Sequence, residues 1–224
     1  MRNIRFYIFI VSLKGALLSI SPACAQDQPE TLIRISTNYG DMIALLYNDT
    51  PLHRDNMLKL ISNGFYNNLI FHRVIEDFMI QGGDPHSVGA DKGQRLGTGG
   101  PGYTIPAEIL THHFHKKGAL AAARKGDQVN PEKASSGSQF YIVQGRIFTS
   151  AELDLLTRQR NIIMNSEAES FYTSIGGTPH LDGGYTVFGE LVEGYEVLDK
   201  IASLPTDAYN RPLSDVVFRI SIEP

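Results

Sequence analysis

One cysteine, Cys24, is the only thiol among the 224 residues. A single thiol cannot form a disulfide within the chain. Positive charge is also scarce: 20 Lys and Arg stand against 24 Asp and Glu, a formal net charge of −4. Nucleic-acid binding depends on a basic surface, so this balance argues against it. No apolar run is long enough to span a bilayer. The richest stretch, Phe6–Leu13 continued by Ala16–Ile20, is interrupted by Lys14 and falls short of the roughly 20 residues a spanning helix needs. There is no internal repeat and no low-complexity tract. What remains is ordinary for a globular chain, 42% hydrophobic and 20% charged. The length suits one domain, and it is enough to bury a sizeable core without disulfide or metal staples.

The first 25 residues have a character of their own. Arg2 and Arg5 precede the apolar run, and Ala23-Cys24-Ala25 places small residues where a signal peptidase reads. This is the layout of a secretory signal, and it predicts an exported, periplasmic protein. Cleavage after Ala25 would remove Cys24 and leave no cysteine nucleophile. The alternative is a lipoprotein anchored through Cys24, although Ser21-Pro22-Ala23 is a poor lipobox that lacks the usual leucine. The segment holds three cations (Arg2, Arg5, Lys14) and no acids, so its removal leaves 17 Lys and Arg against 24 acids, a charge of −7. Residues 26–30 read as a short linker and 31–224 as one domain, expected to be monomeric.

From Thr31 onward the chain reads as short strands. Runs rich in β-branched and aromatic residues lie at 31–35, Met42–Tyr47, Ile70–Ile75, Phe78–Gln81, Ala119–Ala123, Phe140–Val143, Val187–Val192 and Val216–Ile222. Asn38-Tyr39-Gly40-Asp41 makes the first pair a hairpin. Asp49-Thr50-Pro51 starts a helix, with a capping side chain and proline in its first turn, and Gly64 stops it. A second helix fits Tyr195–Ala202. Eight strands can close into a barrel filled by side chains. The expected fold is therefore mainly β, a closed eight-stranded antiparallel barrel capped by two helices. Residues 146–178 break the rhythm. Thr149 with Glu152 is a capping box, and Leu153, Leu156, Ile162 and Ile163 predict one amphipathic helix, read as an insertion near 149–175. The glycine-rich stretch Gly82–Tyr103 reads as a surface loop.

Polar Arg73 and Gln81 sit inside otherwise apolar strands, in Phe71-His72-Arg73-Val74-Ile75 and Phe78-Met79-Ile80-Gln81-Gly82-Gly83-Asp84. Positions 71, 73, 79 and 81 share parity, so paired strands would place them on one face. Taken alone, Arg73 reads equally well as a structural arginine in a salt bridge. Two further blocks follow, Gly137-Ser138-Gln139-Phe140-Tyr141-Ile142 and Leu181-Asp182-Gly183-Gly184-Tyr185-Thr186-Val187-Phe188-Gly189, and Gly118–Arg124 precedes the first of them. In this order the blocks resemble the cyclophilin family of peptidyl-prolyl cis-trans isomerases, over about Thr31–Ile222 apart from the insertion. The resemblance implies a site in a groove on the outside of the barrel. It makes Arg73 the catalytic arginine and Phe78, Met79, Phe140, Leu181 and Tyr185 the pocket for a proline ring. Gln81 and Gln139 become polar neighbours, and Ala123 and Arg124 hold the peptide backbone. His72 matches a frequent family residue without a catalytic role. Proline-containing polypeptides are the implied partners. No cofactor or metal is implied, because no bond is made or broken. The alternative is a module or chaperone that grips proline segments without useful turnover.

Other chemistries find less support. Gly97-Thr98-Gly99-Gly100 lacks the strand–loop–helix setting and the lysine of a phosphate loop. Ser135, Ser136 and Ser138 form no Gly-x-Ser-x-Gly elbow. Glu108 and Asp182 form no carboxylate pair that spacing alone establishes. His112, His113 and His115 cluster near Phe114, but no acidic or cysteine partner stands at ligand spacing, so they read as a solvated loop. The chain has no tryptophan. Family members that bind cyclosporin well carry one before the Leu-Asp-Gly block, where this chain has His180, so weak cyclosporin binding is implied.

Overall fold

The computed structural model describes residues 29–160, 162 and 164–224. The expected signal segment, the linker up to residue 28 and Ile163 lie outside the described residues. In chain order the elements are β1 (Thr31–Thr37), β2 (Gly40–Leu46), α1 (Pro51–Ser62), β3 (Leu69–Ile70), β4 (Arg73–Ile75), β5 (Met79–Gly82), β6 (Thr104–Ile105), β7 (Ala119–Arg124), β8 (Ser135–Val143), α2 (Ser150–Arg160), α3 (Ser166–Ser174), β9 (Val187–Glu193), α4 (Tyr195–Ala202) and β10 (Val217–Ile222).

The ten strands form one sheet in the order β3-β10-β1-β2-β9-β7-β8-β5-β4, with β6 on the side of β8, and every pairing is antiparallel. Its two ends, β3 and β4, are separated in sequence only by Phe71 and His72, so the sheet must curl. The expected closed eight-stranded barrel is corrected here. The run expected at Ile70–Ile75 splits where it changes partners, Phe71 N–H donating to Val216 O and Val74 N–H to Asn210 O. The covalent chain crosses the seam where a ladder would have closed it, and the sheet is a curled half-barrel with four helices.

Side-chain alternation sorts the strands into two apolar clusters. Ile33, Met42, Leu120, Phe140, Ile142, Phe188 and Phe218 meet in the larger one, together with Met57 and Ile61 of α1 and Val197, Leu198 and Ile201 of α4. Only the inside of the curl can bring residues from so many strands together. Residues of the other parity, Met79, Ala121, Tyr141 and Val143, form the second cluster on the outside. Phe71 belongs to the inner cluster, not to the face of Arg73, because the parity count is interrupted at the β3–β4 break.

α1 begins at Pro51 as expected, but neither Asp49 nor Thr50 caps it. The cap comes from Glu108, whose two carboxylate oxygens accept the N–H groups of Leu52 and His53 at 3.0 Å each. The insertion is two helices rather than one. α2 ends at Arg160, and Asn165 restarts the chain as α3 by accepting the N–H of Ala168 at 2.8 Å. The capping box of α2 is present, Glu152 accepting from Thr149 N–H at 2.8 Å. That bond and Arg146 hold the exposed Glu152 carboxyl down at about 2. Leu153, Ala168 and Tyr172 give the insertion a small core shared with Phe114 and Phe148. Its stem is clamped by a bridge between Arg146 and Gly177. Gly177 has φ +151°, and a Cβ there would strike the carbonyl oxygen of His115. Among the described residues, no helix is long and apolar enough to cross a membrane.

Candidate active site

Register builds the site. Arg73 pairs with Gln81, Gln81 with Tyr141, and Tyr141 with Ala121, so one cross-strand row runs across β4, β5, β8 and β7 on the outer face. The next row holds Ile75, Met79 and Val143. A tight turn joins β4 to β5 through Asp77 at φ 60°, a left-handed conformation aspartate tolerates. It lifts Phe78 above the sheet, where its ring lies 5.7 Å from the Arg73 guanidinium.

These residues line a pocket of about 110 Å³. Arg73, Phe78, Met79, Gln81 and Tyr141 form one wall; Ala123, Arg124, Leu181 and Tyr185 form the other. The volume is well under the roughly 300–1,000 Å³ of pockets for drug-sized ligands. It suits a single side-chain ring, not a nucleotide.

Arg73 is half-buried, and burial pulls its pKa below the usual arginine value. A guanidinium nevertheless stays charged. Its Nη1 donates to Gln81 Oε1 at 3.2 Å and lies 3.9 Å from the Met79 sulfur. Among the described residues no carboxylate lies within ion-pair distance of it. The alternative of a salt-bridged structural arginine is therefore not what the fold contains. Gln81 Nε2 donates in turn to Gln139 Oε1 at 3.0 Å, and Gln139 Nε2 to Gly99 O at 2.8 Å. Because arginine can only donate, this is the one amide orientation that satisfies the relay. Arg124 is engaged differently. It donates to Gly184 O and to Asp127, both at 2.6 Å, and stacks over Tyr185 at 4.5 Å, bracing the far wall.

Eight of the ten expected site residues converge on the pocket. Gln139 stands one step behind, holding Gln81. Phe140 is a correction. It is 1% exposed and packs edge-on to Tyr66 and Phe71 inside the curl. Tyr141, paired with Gln81, is the ring that faces the groove. Parity from Gln139 was the signal that could have found it.

A second layer lies behind Tyr141, and spacing gave no hint of it. Tyr172 of α3 donates its hydroxyl to Asp182 Oδ2 at 2.6 Å. Asp182 Oδ1 accepts from the backbone N–H of His115 at 2.9 Å and faces His115 Nδ1 at 2.8 Å. His115 Nε2 lies 3.0 Å from the Tyr141 hydroxyl. A carboxylate accepts, so Nδ1 carries a proton, and Nε2 and the tyrosine hydroxyl share the next hydrogen bond. The insertion thus reaches the pocket floor through a buried relay. His180 sits at the rim, stacked on Phe78 with ring centroids 5.6 Å apart.

Comparison with known proteins agrees with this architecture. Residues 32–221 match the family described as cyclophilin type peptidyl-prolyl cis-trans isomerase/CLD. A Staphylococcus haemolyticus protein named as a peptidyl-prolyl cis-trans isomerase is 35% identical over 189 residues, covering 84% of this chain and 88% of that protein. A bifunctional phosphatase/peptidyl-prolyl cis-trans isomerase of Streptococcus pyogenes is 39% identical over 188 residues, which are 83% of this chain but only 37% of that longer protein. A crystal structure of a Cryptosporidium parvum cyclophilin type isomerase superposes with a TM-score of 0.63 at 29% identity, covering 87% of this chain and 98% of that one. A second structure of that protein, in the presence of the dipeptide Ala-Pro, gives 0.62 at 28% identity, covering 86% and 99%. With the family match spanning the whole sheet and its groove, the chain belongs to the cyclophilin type peptidyl-prolyl cis-trans isomerases.

Proposed function

We propose that the protein accelerates cis-trans rotation about Xaa-Pro bonds in exported polypeptides, with Arg73 as the catalytic residue. The observation that carries this reading is a half-buried guanidinium with no carboxylate partner among the described residues, lining a pocket sized for one ring. Rotation about a peptide bond costs about 18–20 kcal/mol because the C–N bond has partial double-bond character. Uncatalysed prolyl isomerisation therefore takes about 10–100 s. In the twisted state the proline nitrogen regains its lone pair. Arg73 spends one N–H on Gln81 and keeps others for that lone pair, an interaction absent from the planar ground state. Phe78, Met79, Tyr141 and Leu181 grip the ring while the rest of the peptide turns, and excluding water strengthens the contact with Arg73. Ala123 and Arg124 border the path of the preceding residues.

The test compares wild type with Arg73→Ala on a proline-containing peptide, with circular dichroism on both. Turnover is expected to fall about 10²–10³-fold, as when a single transition-state donor is removed. Peptide binding without acceleration by wild type would leave only a binding module. The layout of residues 1–25 supports an exported, periplasmic destination, which N-terminal sequencing of the secreted form would check. With His180 rather than tryptophan at the rim, cyclosporin binding is expected to be weak; a sub-micromolar affinity would contradict this.

A further inference from the structure

The β6–β7 loop carries His112 and His113, which the isomerase groove does not use. Folding supplies the acidic partner that sequence spacing lacked. Asp49, in the β2–α1 link, lies between them. His112 Nε2 is 2.8 Å from Asp49 Oδ2, and His113 Nε2 is 2.8 Å from Asp49 Oδ1. Each residue offers one ligand atom, and the three all lie within 4.8 Å of one another.

The cluster is held from one side and open on the other. The His113 ring lies flat on Tyr47, with centroids 4.1 Å apart and planes 11° apart, and its side chain is only 12% exposed. His112 is 60% exposed and free to adjust.

Two imidazoles and one carboxylate suit a transition ion. Calcium and magnesium take oxygen ligands, whereas imidazole favours zinc, copper and nickel. Tetrahedral zinc with bonds of about 2.0–2.2 Å places its ligand atoms about 3.3–3.5 Å apart. One ligand atom from each residue already lies within 4.8 Å of the others, so only a small adjustment separates the cluster from that geometry. Exposed His112 can supply that movement.

We propose that Asp49, His112 and His113 form a three-ligand site for a zinc-like divalent transition ion, with water in the fourth position. The ion would tie the β6–β7 loop to the start of α1.

The experiment is calorimetric titration of the full chain, without a histidine tag, with zinc chloride. Wild type is expected to bind one equivalent with micromolar or tighter Kd. His112→Ala and Asp49→Asn, both at exposed positions, are each expected to weaken binding at least tenfold. His86→Ala removes another exposed imidazole and should leave binding unchanged. Zinc should raise the unfolding midpoint of wild type and not that of His112→Ala, while both keep the same isomerase activity. The proposal is overturned by an absence of binding heat. It is equally overturned by binding that survives both ligand substitutions, or by binding lost in His86→Ala.

Discussion

On one side of the groove, Arg73, Met79 and Gln81 stand on β4 and β5, held by ladder register and backed by apolar packing. On the other side, Leu181 and Tyr185 stand on a turn that belongs to no strand, held by Arg124 and by the relay through Asp182 into the insertion. The difference divides labour. The ladder holds β5 on both flanks, against β4 and β8, and Gln81 of β5 in turn holds Arg73, which suits a group that must act within a fraction of an ångström. A turn held by side-chain hydrogen bonds can be reshaped by whatever it is tied to, which suits substrate access. Even the buried histidines follow this division. His115 behind the turn has partners on both nitrogens. His72 beside Arg73 has, among the described residues, a hydrogen-bond partner on neither.

The largest effect tests that last contrast. Burial, with opposing help from Asp84 and further lowering by Arg73 and Arg211, depresses His72 to about 4 from 6.5. Below pH 6.5 the unfolded chain takes up a proton that the folded chain refuses, so stability falls with pH until about 4. The difference amounts to about 3 kcal/mol, at roughly 1.4 kcal/mol per pH unit. His72→Leu is expected to remove this part of the slope, measured by denaturant unfolding from pH 7 to 4. An unchanged slope would show that the sheet wall is wetter than its packing implies.

Next comes the geometry of the catalytic group. Arg73→Lys keeps the charge but loses the planar fork that bonds Gln81 while still offering donors to the substrate. A fall of about 100-fold in kcat/KM is expected, about 2.7 kcal/mol. Retained activity would mean that charge alone suffices. Gln81→Leu is milder. It leaves Arg73 in place without its acceptor, and kcat should fall about tenfold with KM little changed, in line with one hydrogen bond to a charged group. A rise in KM instead would move Gln81 from positioning Arg73 to binding substrate.

How much of this was legible follows the same division. The Arg73–Gln81 pairing follows from two-residue periodicity, and α4 from its apolar spacing, because both are local. Phe71 and Phe140 were misplaced where a parity count needs its phase: Phe71 precedes a strand break, and in β8 Gln139 shares the outward parity of Tyr141, which faces Gln81, so Phe140 points inward. Glu108 capping α1 and Asp49 joining His112 are contacts across 50 residues or more, for which no local pattern exists. The insertion showed its first cap, Thr149 with Glu152. Its second start at Asn165 was hidden, since an asparagine before a serine is equally common in a loop.

Tyr172 offers the smallest and sharpest test of the far wall. It is fully buried in α3, and its hydroxyl is the only polar contact among the described residues that the insertion makes to Asp182. Tyr172→Phe keeps the ring in its small core with Leu153 and Ala168 and deletes only the donor. The stability cost should be about 1 kcal/mol, the net worth of one hydrogen bond. Asp182 would keep its two bonds from His115 and lose its tie to α3. If the insertion sets substrate access, KM should rise severalfold while kcat stays within a factor of two, because Arg73 and Gln81 belong to the other wall. A matching change in kcat would show that the relay through His115 to Tyr141 positions the reacting peptide as well, and the two walls would then act as one.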